Sequence, residues 1–190
     1  MPRVFTGLVL PQSVIDALAE RRQPLPGARW VEPENLHLTL RFAGDISRGQ
    51  ADDFAEALGD IIAEPFELEV SGLGLFGGRQ PRSIWAGVTR CDALEALAIA
   101  NERAARRAGL DSEARRFRPH ITLARLKQPP RQMLSDFIAR FGGYRLPRFV
   151  VEGFVLYSSR PRVGGGPYVI EARFPLAGVA DFEDDEAGFF

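Results

Sequence analysis

The sequence predicts an α+β fold of two lobes related by a pseudo-twofold axis, each lobe an antiparallel sheet with helices on its outer side and a cleft between the sheets. Three observations predict it. A strand pattern bearing a histidine occurs twice, at 36–42 and 117–126; a helical pattern stands before and after each; and two further strand patterns close each half. Counted from each histidine, the first of these strands begins about 29 and 28 residues on, and the second about 46 and 48 on. A chain of 190 residues, 45% of them apolar, is long enough to fill a core of this kind.

Residues 3–10 read as a strand, and Pro11 opens a helix to about Arg22 with Val14, Ile15 and Leu18 on one face. Pro24, Pro26, Gly27 and Pro33 make 23–35 a loop. From Leu36 to Phe42 the residues alternate, which sends Leu36, Leu38, Leu40 and Phe42 to a core and His37, Thr39 and Arg41 to the opposite face, with Gly44 ending the strand. Ser47 and Gln50 have capping-box spacing ahead of Ala51, Phe54, Ala55, Leu58, Ile61 and Ile62 at helical intervals. Strands follow near 66–73 and 83–89.

In the second half Asp92 and Glu95 open a helix to about Ala108, and Phe117 to Leu126 is the second histidine-bearing strand. Met133, Leu134, Phe137, Ile138 and Phe141 mark another helix, and strands near 148–157 and 168–175 close a single duplicated domain over residues 1–177. Residues 178–190 form an acidic, mobile tail. The run Gly72 to Gly78 lacks the Lys-Ser/Thr ending and following helix of a phosphate loop, so it reads as a turn, as does Gly164-Gly165-Gly166. Trp30 and Trp85 are packing residues.

Formal charge is −1, but the five acidic residues of the tail account for it: residues 1–180 carry 24 basic against 20 acidic residues, a net +4. A mildly basic body suits a small anionic ligand and falls short of the strongly basic face that grips a long duplex. Cys91 is the only cysteine, which excludes an internal disulfide and a cysteine-rich metal site. The apolar run after Met1 is broken at Pro11, too short for a signal segment or a membrane span, so a cytoplasmic monomer is expected.

The chain has two histidines and four threonines, and each histidine, His37 and His120, has a threonine two places on, Thr39 and Thr122. Chance is a poor explanation for that coincidence. Strand alternation sets imidazole and hydroxyl side by side on one face, where the hydroxyl can donate to an oxygen of a bound anion. One neutral imidazole can take a proton from water while a protonated one gives a proton to a leaving oxygen. In-line displacement at phosphorus needs those two groups on opposite sides of the phosphate, and two strands related by a twofold axis supply that arrangement. Two histidines with no carboxylate at ligand spacing are thin coordination for zinc, so no metal and no cofactor is expected. By parity Arg41 and Arg118 share the histidines' faces, as added positive potential or as solvated rim residues.

The segments Trp30-Val31-Glu32-Pro33-Glu34-Asn35-Leu36-His37-Leu38-Thr39-Leu40-Arg41-Phe42 and Phe117-Arg118-Pro119-His120-Ile121-Thr122-Leu123-Ala124-Arg125 resemble the paired motifs of the 2H phosphoesterases. Within that group the chain is similar to the RNA 2′,3′-cyclic phosphodiesterases, also called 2′-5′ RNA ligases, from about Arg3 to Pro175. The resemblance implies a metal-free hydrolysis of an RNA 2′,3′-cyclic phosphate end to a 2′-phosphate. It implies His37 as the proton donor to the departing 3′ oxygen, His120 as the proton acceptor from water, and Thr39 and Thr122 as holders of the non-bridging oxygens. Arg125 matches an extension of the second motif and would pair with phosphate, although strict alternation points it away from His120 unless a bulge or the strand's end intervenes. Phe5 matches a position near the cleft, as a base-stacking ring or as a core residue. Two other readings keep the same residues: a phosphodiesterase of small cyclic nucleotides or 2′-5′ oligonucleotides, and a module that binds RNA or nucleotide without turnover.

Overall fold

Alternation and capping carry the chain through ten strands and four helices in a computed structural model that describes residues 3–159 and 168–179. In chain order these are β1 (Arg3–Val9), α1 (Gln12–Ala19), β2 (Ala28–Trp30), a 3₁₀ turn (Pro33–Asn35), β3 (His37–Asp45), α2 (Arg48–Gly59), β4 (Phe66–Leu68), β5 (Val70–Phe76) and β6 (Ser83–Val88). Then follow α3 (Asp92–Arg107), β7 (His120–Leu126), α4 (Arg131–Phe141), β8 (Phe149–Val151), β9 (Gly153–Ser159) and β10 (Tyr168–Pro175). Residues 180–190 of the expected acidic tail, and Gly164-Gly165-Gly166, lie outside the described residues.

The strands run in the order β10-β9-β1-β3-β7-β6-β5, all neighbours antiparallel, with β2 added to β7 and a separate β4–β8 pair. β3 and β7 meet at Leu38 and Ile121, and the path divides there into two lobes. The lobes are not the two halves of the sequence. The strands that follow His37, β5 and β6, lie beside β7, while those that follow His120, β9 and β10, extend β3 through β1. Each lobe therefore combines strands from both halves of the chain. Beneath the sheet, α2 packs on α3 and α3 on β3, with Phe54, Leu58, Leu94 and Leu97 buried against Leu38, Ile84 and Ile121.

Three expectations change. The loop at 23–35 contains β2, whose Ala28 to Trp30 pair with Leu126 to Ala124, because β7 offers an open edge that local sequence does not reveal. Ile61 and Ile62 fall beyond α2, which ends at Gly59, and Ile62 is exposed. Of the glycine run, Gly72 and Gly74 lie inside β5, and the turn is made by Gly77 and Gly78 at positive φ.

The largest change is in β3. Thr6 pairs with Arg41 and Gly7 with Thr39, so Leu40 is an extra residue that bulges the strand. Leu40 and Arg41 are consecutively buried, and Phe42 turns to the His37 face and is 47% exposed. Phe42 was expected in the core and Arg41 on the histidine face; the bulge exchanges them. β7 carries the matching irregularity, with Ile84 opposite Ala124 and Trp85 opposite Thr122, so that Leu123 and Ala124 are both buried and Arg125 is exposed on the side of His120.

The capping box forms as read. Gln50 N donates to Ser47 Oγ at 3.2 Å, and Ser47 N donates to Gln50 Oε1 at 3.2 Å. Ser47→Ala is expected to lower stability by about 1 kcal/mol, read from the urea midpoint, with the slope of the transition unchanged.

Candidate active site

His37 opens β3 and His120 opens β7, and each is held in the same way by the carbonyl two residues before it. His37 Nδ1–H donates to the Asn35 carbonyl at 2.8 Å, and His120 Nδ1–H donates to the Arg118 carbonyl at 2.6 Å. A neutral imidazole with its proton on Nδ1 keeps a lone pair on Nε2, so both rings are set with the same nitrogen left for chemistry. His37 Nε2 lies 3.1 Å from Thr39 Oγ1, whose hydroxyl donates to it. Counting antiparallel from the Leu38–Ile121 pair sets His37 opposite Thr122 and Thr39 opposite His120. The four side chains form two crossed His–Thr pairs around one point of the sheet.

Aromatic rings wall each histidine. His37 lies 4.9 Å from Phe5, 5.0 Å from Tyr168 edge-on and 5.6 Å from Tyr157, between ring centroids. His120 meets Phe76 edge-on at 4.8 Å and Trp85 at 6.3 Å. The Trp85 indole lies flat across β5, where a Cβ on Gly74 would stand 2.0 Å from Cζ2, so only glycine admits it. Asn35 is buried, and its Oδ1 accepts from Tyr168 N at 3.1 Å, which ties the carbonyl holding His37 to the strand carrying one of its wall rings.

Phe5 does not reach the cleft. It is 2% exposed, stacked on Tyr157 at 5.0 Å and packed beneath His37, so of its two sequence readings the core one describes its place. Arg41 is buried on the far side of β3, with its Nε paired to Glu102, and adds no free charge to the cleft. Arg118 is exposed, and the part of it that touches His120 is its carbonyl. Arg125 acts on both imidazoles. Sequence reading missed Phe42; the available signal was that it stands five residues after His37, as Arg125 stands five after His120.

Burial is the main force on both rings. It pushes His37 down from 6.5 to about 4, the Asn35 carbonyl opposing, and the positive charges of His120 and Arg125 lower it further. His120 is also lowered, first by burial and then by Arg125, against the Arg118 carbonyl. Both shifts favour the neutral imidazole in the free protein, and the charge of a bound phosphodiester would oppose them. Among the described residues no three His, Cys, Asp or Glu side chains gather at metal-binding spacing.

Residues 8–85 and 88–168 match the LigT-like phosphoesterase family. The chain belongs to that family. It is 31% identical over 186 residues to an RNA 2′,3′-cyclic phosphodiesterase of Aquifex aeolicus, covering 93% of this chain and 98% of that one. A Thermus thermophilus protein of the same name is 31% identical over 191 residues, covering 93% and 91%. The crystal structure of E. coli LigT complexed with 3′-AMP superposes with a TM-score of 0.73 at 28% identity, covering 93% of this chain and 99% of that one. This LigT-like phosphoesterase shares with those proteins the two-lobed α+β architecture.

Because the unfolded chain binds a proton at His37 near pH 6.5 and the folded one only near pH 4, stability is lost as pH falls through that window. Thermal melts from pH 7 to pH 4 are expected to show the parent losing more stability than His37→Gln, with the difference opening below about pH 6.5.

Proposed function

We propose that this phosphoesterase hydrolyses RNA 2′,3′-cyclic phosphate ends to 2′-phosphates by metal-independent general acid and base catalysis. The observation that carries the reading is the crossed pair of histidines. Each is held at Nδ1 by a carbonyl, which leaves Nε2 as the nitrogen for reaction, on either side of one residue pair, with Arg125 acting electrostatically on both. The relatives' name, RNA 2′,3′-cyclic phosphodiesterase, supports the substrate class.

In this reading the cyclic phosphate lies between the imidazoles, with its non-bridging oxygens on the Thr39 and Thr122 hydroxyls and on Arg125. Water attacks phosphorus as His120 takes its proton, the P–O3′ bond breaks, and His37 gives a proton to O3′. Two features support that assignment. The His120 side is the more open to solvent, which suits a ring that activates water. The His37 wall carries the exposed Phe42 ring, which suits a nucleoside leaving group by stacking on its base. The depressed proton affinity of His37 opposes its role as the acid in the free protein, and the bound anion offsets that. Ligation follows the same path with an RNA 5′-hydroxyl in place of water: His120 takes its proton, the P–O3′ bond breaks, His37 protonates O3′ and a 2′-5′ linkage results, whereas cleavage of that linkage would exchange the two roles. We also read residues 1–177 as one domain with an internal duplication, since the two bulged histidine strands match position for position.

Phosphorus NMR of a short RNA ending in a 2′,3′-cyclic phosphate, with EDTA present, tests the reading. The parent is expected to form only the 2′-phosphate, and His37→Ala and His120→Ala are each expected to lose about 10²–10⁴-fold in rate. A 3′-phosphate product would reverse the leaving-group assignment, and binding without turnover by the parent would leave a binding module. Phe42→Ala is expected to raise KM about 5- to 100-fold, as loss of one stacked base would, with kcat nearly unchanged in steady-state assays.

A further inference from the structure

The geometry points to Arg41 as a positioning residue for this reaction: through Glu102 and two main-chain carbonyls it clamps the loop that delivers His120 onto the bulge of the His37 strand. The inference rests on the two-histidine reading above. Arg41 is 7% exposed, and its guanidinium is engaged on three sides. Nε pairs with Glu102 on α3, Nη1 donates to the Phe42 carbonyl at the bulge, and Nη2 donates to the Asp111 carbonyl. The other carboxylate oxygen of Glu102 accepts from the Glu113 amide at 3.2 Å. One ion pair, buried on the Arg41 side and partly buried on the Glu102 side, therefore joins β3, α3 and the start of residues 111–119.

Those residues belong to no helix or strand, and near their end stands Arg118, whose carbonyl orients His120. The two histidines differ in how that carbonyl is secured. Asn35, which holds His37, is buried and bonded to Tyr168, whereas Arg118 is exposed on an irregular loop. The loop is anchored by the partly buried Phe117 near one end and by the Arg41–Glu102 pair near the other. A cavity of about 380 Å³, lined by Phe42, Asp45, Gln50, Asp111 and Glu113 among others, gives the loop room to shift once the guanidinium is removed. Stability alone does not call for such a pair, since an apolar side chain of similar volume in a buried site often stabilises as well. What an apolar residue cannot supply is direction: three bonds that fix one main-chain segment against another.

The test measures kcat and KM on the cyclic-phosphate RNA for Arg41→Met, Arg41→Lys, Glu102→Gln and the Arg41→Met/Glu102→Gln double variant. Circular dichroism checks the fold, and NMR of the imidazole nitrogens follows the titration of His120. Arg41→Met is expected to lose about 10- to 100-fold in kcat with KM within about threefold, as a misplaced reacting group would. Its His120 titration should move, Arg41→Lys should recover part of the rate, and the double variant should be no slower than Arg41→Met. Should Arg41→Met not fold, Arg41→Lys and Glu102→Gln carry the same comparison in milder form. A variant that melts earlier yet turns over at the parental kcat, with His120 titrating as in the parent, would reduce Arg41 to a stabilising residue. Absence of turnover by the parent would instead sink the catalytic reading, and the His120 titration would still decide whether Arg41 orients that ring.

Discussion

Leu38 and Ile121 are where β3 and β7 touch, and the place of both His–Thr pairs is counted from that contact. Both side chains are buried, and burying an aliphatic residue of this size is worth about 1.5–3 kcal/mol. Strand alternation then leaves their polar neighbours no choice of face. With Leu38 in the core, His37 and Thr39 must stand on the other side, and Ile121 does the same for His120 and Thr122. A slip of one residue in either strand would bury a histidine and expose an aliphatic side chain, so the core that stabilises the sheet also fixes the register of the site.

The bulges at Leu40 and Leu123 extend that logic. Each adds one residue to the buried face and resets alternation beyond it, so the side chain five places after each histidine returns to the cleft. In one strand that residue is Phe42 and in the other Arg125. Two matching backbones thus present an aromatic ring on one wall and a cation on the other. The same bulge sends Arg41 inward, where its charge is neutralised by Glu102 and its donors are spent on carbonyls.

The electrostatics of the cleft follow from its walls. Phe5, Tyr157 and Tyr168 around His37, and Phe76 and Trp85 around His120, keep water from the rings and so disfavour imidazolium, and Arg125 adds to the effect. A site built this way has little positive charge of its own on the histidines until an anion enters. Protonation and ligand binding are then coupled, because each favours the other.

The two His-x-Thr pairs, the faces they occupy, the capping box at Ser47 and the order of the helices and longer strands were legible in the sequence, because each rests on interactions between residues close along the chain; β2, made only by pairing with β7, was not. What only the tertiary structure decided concerns long-range pairing. Nothing near Leu40 or Leu123 marks a bulge; the extra residue is evident only against Thr6 and Gly7 in β1 or Ile84 and Trp85 in β6. Alternation read locally therefore put Phe42 inside and Arg41 outside, and it could not say which way Arg125 points. The exchange of strands between lobes, and with it the burial of Phe5 beneath His37, likewise depends on which edges meet. Hydrogen-bonded ladders are made by residues far apart in sequence, and their register is set by the core they jointly close.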